Sequence, residues 1–388
     1  MKAQQTSAIM LHTVGREFPQ WIWRHLTVSW QWFEKTLQQY KRMGYRSVSI
    51  DEYRDIFLSG ALSRERVVCF TFDDGYLDNW VYASVLLEEY GFTGTVFVSG
   101  DFIDPGGSLR PRWRKHSGEM PEAEGFLNRA ELRELDGSGI LDVQSHGVTH
   151  TWYPCGSRIV DFRHPGDSYH WMDWNAEPES KWKQIQPCDD IRQFGLPVYE
   201  HAKSMDGPRF YPNPSIDEEL RLFVKEQGEG FFQQPGWREV LFARVEQLRA
   251  DLPIESWGQY EEEDAFMERV RSELADSSQA LEGVLNKKPK YLCWPGGGYS
   301  DEVFSLAAEY YEGTTISGSR DQSRPQGLDE RGCFRFARFG PLHTWRNGNI
   351  HYLGPLTTCL YTEERRTGSL PCRIVRGGLT RLAQWGLL

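Results

Sequence analysis

Three short segments of this 388-residue chain gather side chains of the types that do polar chemistry. The first is Thr71-Phe72-Asp73-Asp74-Gly75-Tyr76. Two neighbouring carboxylates repel each other, and a bound cation is the usual remedy; the alternative is a helix cap followed by a first-turn acid. The second is Ser145-His146-Gly147-Val148-Thr149-His150. Histidines at i and i+4 share one face of a helical turn, so both imidazoles can reach one ion. An isolated pair of this kind is a weak signal. Joined to an aspartate pair it becomes a two-histidine, one-carboxylate set with positions left open for water, the pattern of a catalytic zinc or similar divalent site. The third is Cys293-Trp294-Pro295-Gly296-Gly297-Gly298-Tyr299. Three glycines after a proline let backbone N–H groups approach a ligand closely, as an oxyanion site requires, or simply make a tight turn.

These segments need a scaffold, and the flanking patterns describe one. Ser7–Val14 is a short apolar strand, and Ser29–Met43 has helical spacing of Trp32, Phe33, Leu37 and Tyr40. The run Arg66–Phe72 is β-branched and aromatic throughout, as a strand buried on both faces would be. A helix over Trp80–Tyr90, a strand over Gly94–Ser99, a helix over Arg129–Leu135 and a strand over Leu141–Ser145 follow. Further on, Phe266–Leu285 is helical, Lys290–Trp294 extended, Val303–Tyr311 helical and Gly313–Ser317 extended. Strand and helix in alternation imply right-handed crossovers and an α/β barrel or sheet. From Thr151 to Trp257 the rhythm breaks into Trp, Pro, Gly and charge, with helix expected only near Asp217–Lys225 and Trp237–Ala250. A structureless loop of that length is improbable, so the stretch is expected to have a fold of its own.

Composition narrows the function. A net charge of -11 opposes general nucleic-acid binding, which needs a positive face. No stretch reaches the length of a membrane-spanning helix. The first residues contain no apolar core of signal-peptide length, from which a cytoplasmic location is expected. Seven scattered cysteines form no CxxC pair and read as reduced thiols. Fifteen tryptophans in a polar chain suit a carbohydrate-handling protein, because such rings stack on sugars, although any one of them can equally be packing. The last residues, Cys372–Leu388, combine three arginines with Leu, Ile and Trp, a pattern compatible with a helix lying on the inner membrane surface.

Taken together, TFDDGY, SHGVTH and KYLCWPGGGY resemble the three motifs of the polysaccharide deacetylase family (carbohydrate esterase family 4, the NodB homology domain). The order of the motifs is similar, apart from the long insertion before the third. Met10-Leu11-His12-Thr13-Val14 resembles the early Tyr-His-x-Val segment of a branch with circularly permuted motifs, which includes the poly-N-acetylglucosamine deacetylases. The resemblance implies a distorted (β/α) barrel of about seven strands, formed by residues 1–151 and 285–345. A largely helical and irregular insertion, 152–284, would cap the active site, and 346–388 would form the C-terminal tail.

The same resemblance implies roles. Asp74, His146 and His150 would hold one divalent metal ion, zinc in the first instance, with cobalt, nickel or iron as alternatives. Asp73 would be the general base toward the attacking water, and His12 the general acid that protonates the leaving amine. A backbone N–H at Gly296 would meet the oxyanion. The third motif lacks the family's arginine, and Phe334-Arg335-Phe336-Ala337-Arg338-Phe339 resembles the permuted branch's Leu-Pro-Arg-Ile segment, so Arg338 would orient Asp73. Tyr76, Trp294, Trp171 and Trp174 are candidate sugar contacts. The expected reaction is hydrolytic N-deacetylation of an N-acetylated intracellular sugar: a glycan, a lipid-linked glycan or a nucleotide sugar. An O-acetyl esterase, an amidase of a non-sugar or cyclic amide, and a non-catalytic sugar-binding protein are the rivals.

Overall fold

The computed structural model describes residues 5–187, 190–316, 325–346 and 349–385. Two compact units divide the chain: residues 1–148, 274–297 and 307–388 form the first, residues 149–273 and 298–306 the second.

Seven strands make the frame of the first unit. They are β1 (Ala8–Leu11), β2 (Val67–Phe72), β3 (Gly94–Val98), β4 (Leu141–Ser145), β5 (Tyr291–Leu292), β6 (Gly313–Ile316) and β7 (Phe334–Ala337). Each pairs in parallel with the next in the chain. Just beyond β7 the chain returns to β1. Met10 N–H donates to the Phe339 carbonyl at 2.9 Å and Phe339 N–H to the Ala8 carbonyl at 3.1 Å, so the sheet curls into the expected seven-stranded barrel. Arg46–Ser47 and Gly327–Leu328 are short additions beside β2 and β7. Both faces of β2 and β3 are buried, which is why their sequences read as unbroken apolar runs.

The helices obey local rules. Trp30–Arg42 starts at Ser29, whose hydroxyl accepts from Trp32 N–H, and buries Phe33, Leu37 and Tyr40 against the core. The helix expected over Trp80–Tyr90 begins instead as a π turn, Asn79–Ala83, before Ser84–Tyr90 becomes regular. Widened turns of this sort recur at functional sites, and here the turn carries Asn79, which donates to the His12 carbonyl at 2.9 Å. The C-terminal segment is anchored by the helix Pro355–Thr367. Its Thr362 bonds Tyr40, and Arg366 donates to the Leu62 and Glu65 carbonyls at 2.9 and 2.8 Å. Among the described residues no helix is long and apolar enough to cross a membrane.

The second unit has its own core, in which Phe162, Tyr199, Phe210, Leu220, Leu241 and Trp257 are buried. The helices Pro214–Gln227 and Trp237–Asp251 cover the two expected there. An antiparallel ladder, Trp152–Phe162 with Pro197–Lys203, was not visible in the sequence pattern. The ladder shifts register between Pro154 and Ile159 and again before Asp161, and such bulges break the alternation by which a strand is recognised. Ser317, the end of one expected strand, lies outside the described residues.

Candidate metal and catalytic site

The barrel builds its polar centre by one repeated device. His12, Asp73, His146, Cys293 and Arg338 are each the first residue after a strand, following β1, β2, β4, β5 and β7. Parallel strands end at a common edge, where the active sites of α/β folds lie. The ladder extends far enough to fix these backbones. Asp73 N–H donates to Leu11 at 2.9 Å, His146 N–H to Val98 at 2.9 Å, and Cys293 N–H to Ser145 at 2.8 Å.

His146 is completely buried, and its ring is held from both sides. Nδ1 lies 2.7 Å from the Cys293 carbonyl, which can only accept, so Nδ1 carries a proton. Nε2 then faces Asp74 Oδ1 at 3.0 Å. In a neutral ring these would be two lone pairs face to face, which needs either a second proton or a cation. The same tension shows in the titration of His146. Burial lowers its pKa, but the Cys293 side chain, the Asp74 hydrogen bond and the Asp73 charge raise it well above the ordinary value.

The loop from His146 carries His150 back to the same place. One ligand atom each of Asp74, His146 and His150 lies within 4.8 Å of the others. The two histidines do not share a helical turn, contrary to the i, i+4 reading. The loop is irregular, with Gly147 at φ +74° and His150 at φ +36°. Asp74 is also left-handed, at φ +74°. Only three non-glycine residues have positive φ among those described, and two of them belong to this trio. Such backbone costs on the order of 1–3 kcal/mol and persists where the surroundings impose it, typically at functional sites. Gly75, also at φ +74°, closes the turn, and a Cβ there would sit 3.1 Å from Val98. Two imidazoles and a carboxylate so arranged fit one divalent ion.

Asp73 lies beside this trio in a different environment. Arg338 Nη1 donates to its Oδ1 at 2.6 Å and Nη2 to its Oδ2 at 2.9 Å, a bidentate pair with both side chains buried. Burial alone would raise the Asp73 pKa. The Arg338 charge and hydrogen bonds, with smaller help from His146 and His12, outweigh it and hold the carboxyl below its ordinary value. Asp73 is thus an anion at neutral pH in spite of its burial.

The four candidate sugar-contacting rings are all buried. Tyr76 hydrogen-bonds Asp74 and stacks on Phe126 at 5.2 Å. Trp294 follows Cys293 into the interior. In the second unit Trp171 packs on His201 at 5.0 Å, and Trp174 Nε1 lies 3.4 Å from the Gln184 carbonyl. Gly296 stands exposed in a left-handed turn at φ +56°, while Gly297 spends its N–H on the Trp294 carbonyl. Sequence reasoning passed over Cys293, the ring cluster of Trp21, Trp23, Phe102 and Phe126 around Tyr76, and Thr71, which accepts from Arg338 at 3.0 Å. The position of Cys293 and Thr71 at strand ends was the available signal.

The polysaccharide deacetylase family model matches residues 62–193 and 250–311, half of the chain. This chain belongs to the polysaccharide deacetylase family. Membership points to a hydrolase acting on N-acetylated sugars. A putative polysaccharide deacetylase of Bacillus subtilis (strain 168), YxkH, is 27% identical over 118 residues, 30% of this chain and 36% of that protein. The match therefore spans about a third of that relative's length. Among solved structures, a de-N-acetylase from Aggregatibacter actinomycetemcomitans aligns over 86% of this chain and 93% of its own, at 15% identity and a TM-score of 0.48. Streptococcus pyogenes deacetylase PplD, in complex with acetate, aligns over 94% and 100%, at 16% identity and a TM-score of 0.47.

Proposed function

We propose that this chain is a metal-dependent hydrolase that removes the acetyl group from an N-acetylated sugar. The observation that carries the reading is the opposition of His146 Nε2 and Asp74 Oδ1, with His150 in the same trio and an ionised Asp73 beside it. In this reading Asp74, His146 and His150 hold one divalent ion, zinc in the first instance. A bound ion supplies Lewis acidity toward water and the acyl oxygen. Asp73 takes the proton of the attacking water, and Arg338 keeps it ionised and aligned for that task. His12, at the end of β1, gives a proton to the leaving amine. Gly296, exposed at its turn, offers backbone to the oxyanion.

Metal content and acetate release together test the reading. The purified protein should take up about one equivalent of zinc and release acetate from N-acetylated oligosaccharides. An Asp74→Asn, His146→Ala variant should lose both, with turnover falling by on the order of a thousandfold or more. Zinc uptake unchanged in that variant would sink the metal assignment. Acetate released only from O-acetylated sugars would replace deacetylase by esterase.

We also propose that the C-terminal helix, Leu370–Gln384, rests on an anionic membrane surface. Leu370, Ile374, Val375, Leu382 and the following Trp385 are exposed along it, Trp385 at 72%. The helix carries Arg373, Arg376 and Arg381 and no acid, in a chain of net charge -11, although Arg373 and Arg376 also pair with Glu364 at 2.8 and 2.7 Å. An apolar stripe flanked by arginines suits an acidic headgroup layer. The protein should sediment with phosphatidylserine vesicles and much less with phosphatidylcholine vesicles. An Ile374→Ser, Trp385→Ser variant that sediments as strongly as the parent would exclude it.

A further inference from the structure

We infer that Cys293 is a positioning residue for the hydrolytic base, completing the grip of Arg338 on Asp73. The family's arginine is absent from the third motif, and a thiol stands at the end of β5 instead. The inference rests on the deacetylase reading for its kinetic arm only.

The geometry is a count of donors and acceptors. A guanidinium has four terminal N–H groups. At Arg338, Nη1 donates to Thr71 Oγ1 at 3.0 Å and Asp73 Oδ1 at 2.6 Å. Nη2 donates to Asp73 Oδ2 at 2.9 Å and Cys293 Sγ at 2.9 Å. All four have an acceptor, and the fork cannot pivot without giving one up. The thiol in turn lies 3.5 Å from Asp73 Oδ2, close enough for S–H to donate. Arginine, thiol and carboxylate therefore form a closed triangle. It is largely desolvated, with Cys293 1% exposed and the Arg338 and Asp73 side chains 7% and 5%, so an unpaired N–H there would be costly.

The main chain of the same residue does a second job. The Cys293 carbonyl accepts from His146 Nδ1 at 2.7 Å, which fixes the tautomer of the metal-directed histidine. One strand end thus sets both the base and a metal ligand. Sulfur also suits the distance: a serine oxygen sits closer to Cβ by about 0.4 Å and would meet Arg338 less well. Cys293 is no nucleophile in this arrangement, because its sulfur is committed to Arg338 and the interior.

Two measurements decide it. In Cys293→Val, similar in size but without donor or acceptor, kcat should fall about tenfold with KM little changed. Cys293→Ser should recover part of that loss. Zinc uptake of both variants should match the parent, while the denaturation midpoint should fall modestly in Cys293→Val, which leaves an Arg338 N–H unpaired, and less in Cys293→Ser. The second measurement needs no substrate. The infrared difference between parent and Cys293→Val isolates the Cys293 S–H stretch, which should shift when Arg338 becomes methionine. A kcat for Cys293→Val within twofold of the parent, or Ser no better than Val, would reduce Cys293 to packing. An S–H band indifferent to Arg338→Met would overturn the contact itself, even if no acetyl sugar proved to be a substrate.

Discussion

Each unit of this protein buries an arginine against carboxylates, and the two arrangements differ in what is left over. In the second unit Arg163 is 1% exposed and donates to Asp167 at 2.8 Å, Asp173 at 3.1 Å and the Gln193 amide oxygen at 2.6 Å. Asp167 also accepts backbone N–H groups from His164 and Tyr169, both at 2.9 Å. That network ties a strand end to a loop and a short helix. In the barrel, Arg338 holds a single carboxylate, and Asp73 adjoins Asp74, His146 and the edge where the strands end. A buried ion pair can thus be a fastening or a poised base, and the neighbours decide which. The first kind should cost stability when broken, the second kind chemistry.

The largest effect is expected at the fastening. Arg163→Met leaves two carboxylates buried without their cation, which should cost about 3–5 kcal/mol. Chemical denaturation should show the second unit melting early, while zinc uptake without denaturant stays at the parent's level. A loss under 1 kcal/mol would mean that water replaces the guanidinium and that the contrast between the two arginines is false.

Arg338→Met should behave in the opposite sense. Turnover should fall about 10- to 100-fold, and the denaturation midpoint should move less than it does for Arg163→Met. Equal activity with a large stability loss would make Arg338 a second fastening and would withdraw Asp73 as an aligned base.

The same contrast explains what the sequence made legible. Barrel strands announce themselves because burial on both faces demands unbroken apolar runs such as Val67–Phe72. Their ends are marked by chemistry-bearing residues soon afterwards, which is how Asp73, Asp74, His146 and His150 were singled out as candidates. Arg338 could be assigned only through resemblance, because its partner is 265 residues away in the chain. The backbone of His150 was misread as helical, since spacing does not distinguish a helical turn from a loop that doubles back. In the second unit, bulges erase the alternation of Trp152–Phe162, and the Arg163 network belongs to no periodic pattern. The four predicted sugar rings were chosen by residue type, and type does not report burial.

The smallest effect concerns a partly buried acid that has no ion pair among the described residues. Asp217 lies on the helix Pro214–Gln227 and accepts from Tyr199 Oη at 2.7 Å. Burial raises its pKa, the tyrosine bond opposes the rise only in part, and the result is about 6. Asp73, more deeply buried, is driven the other way by Arg338. The sign for stability follows from the order of the two values. Near pH 4 and below, Asp217 is protonated when folded and about half or more protonated when unfolded, so its burial costs little. As pH rises toward 6 the unfolded chain ionises first, and unfolding becomes easier. Above pH 6 the penalty is complete, about 2 kcal/mol after allowance for partial solvation. Asp217→Asn keeps an oxygen for Tyr199 and never ionises. It should therefore stabilise the protein by about 2 kcal/mol at pH 7.5 and by almost nothing at pH 4, measured by denaturation at both values. A gain equal at both pH values would trace to packing or helix propensity, and the rule that the partner sets the sign of a buried acid would fail at Asp217.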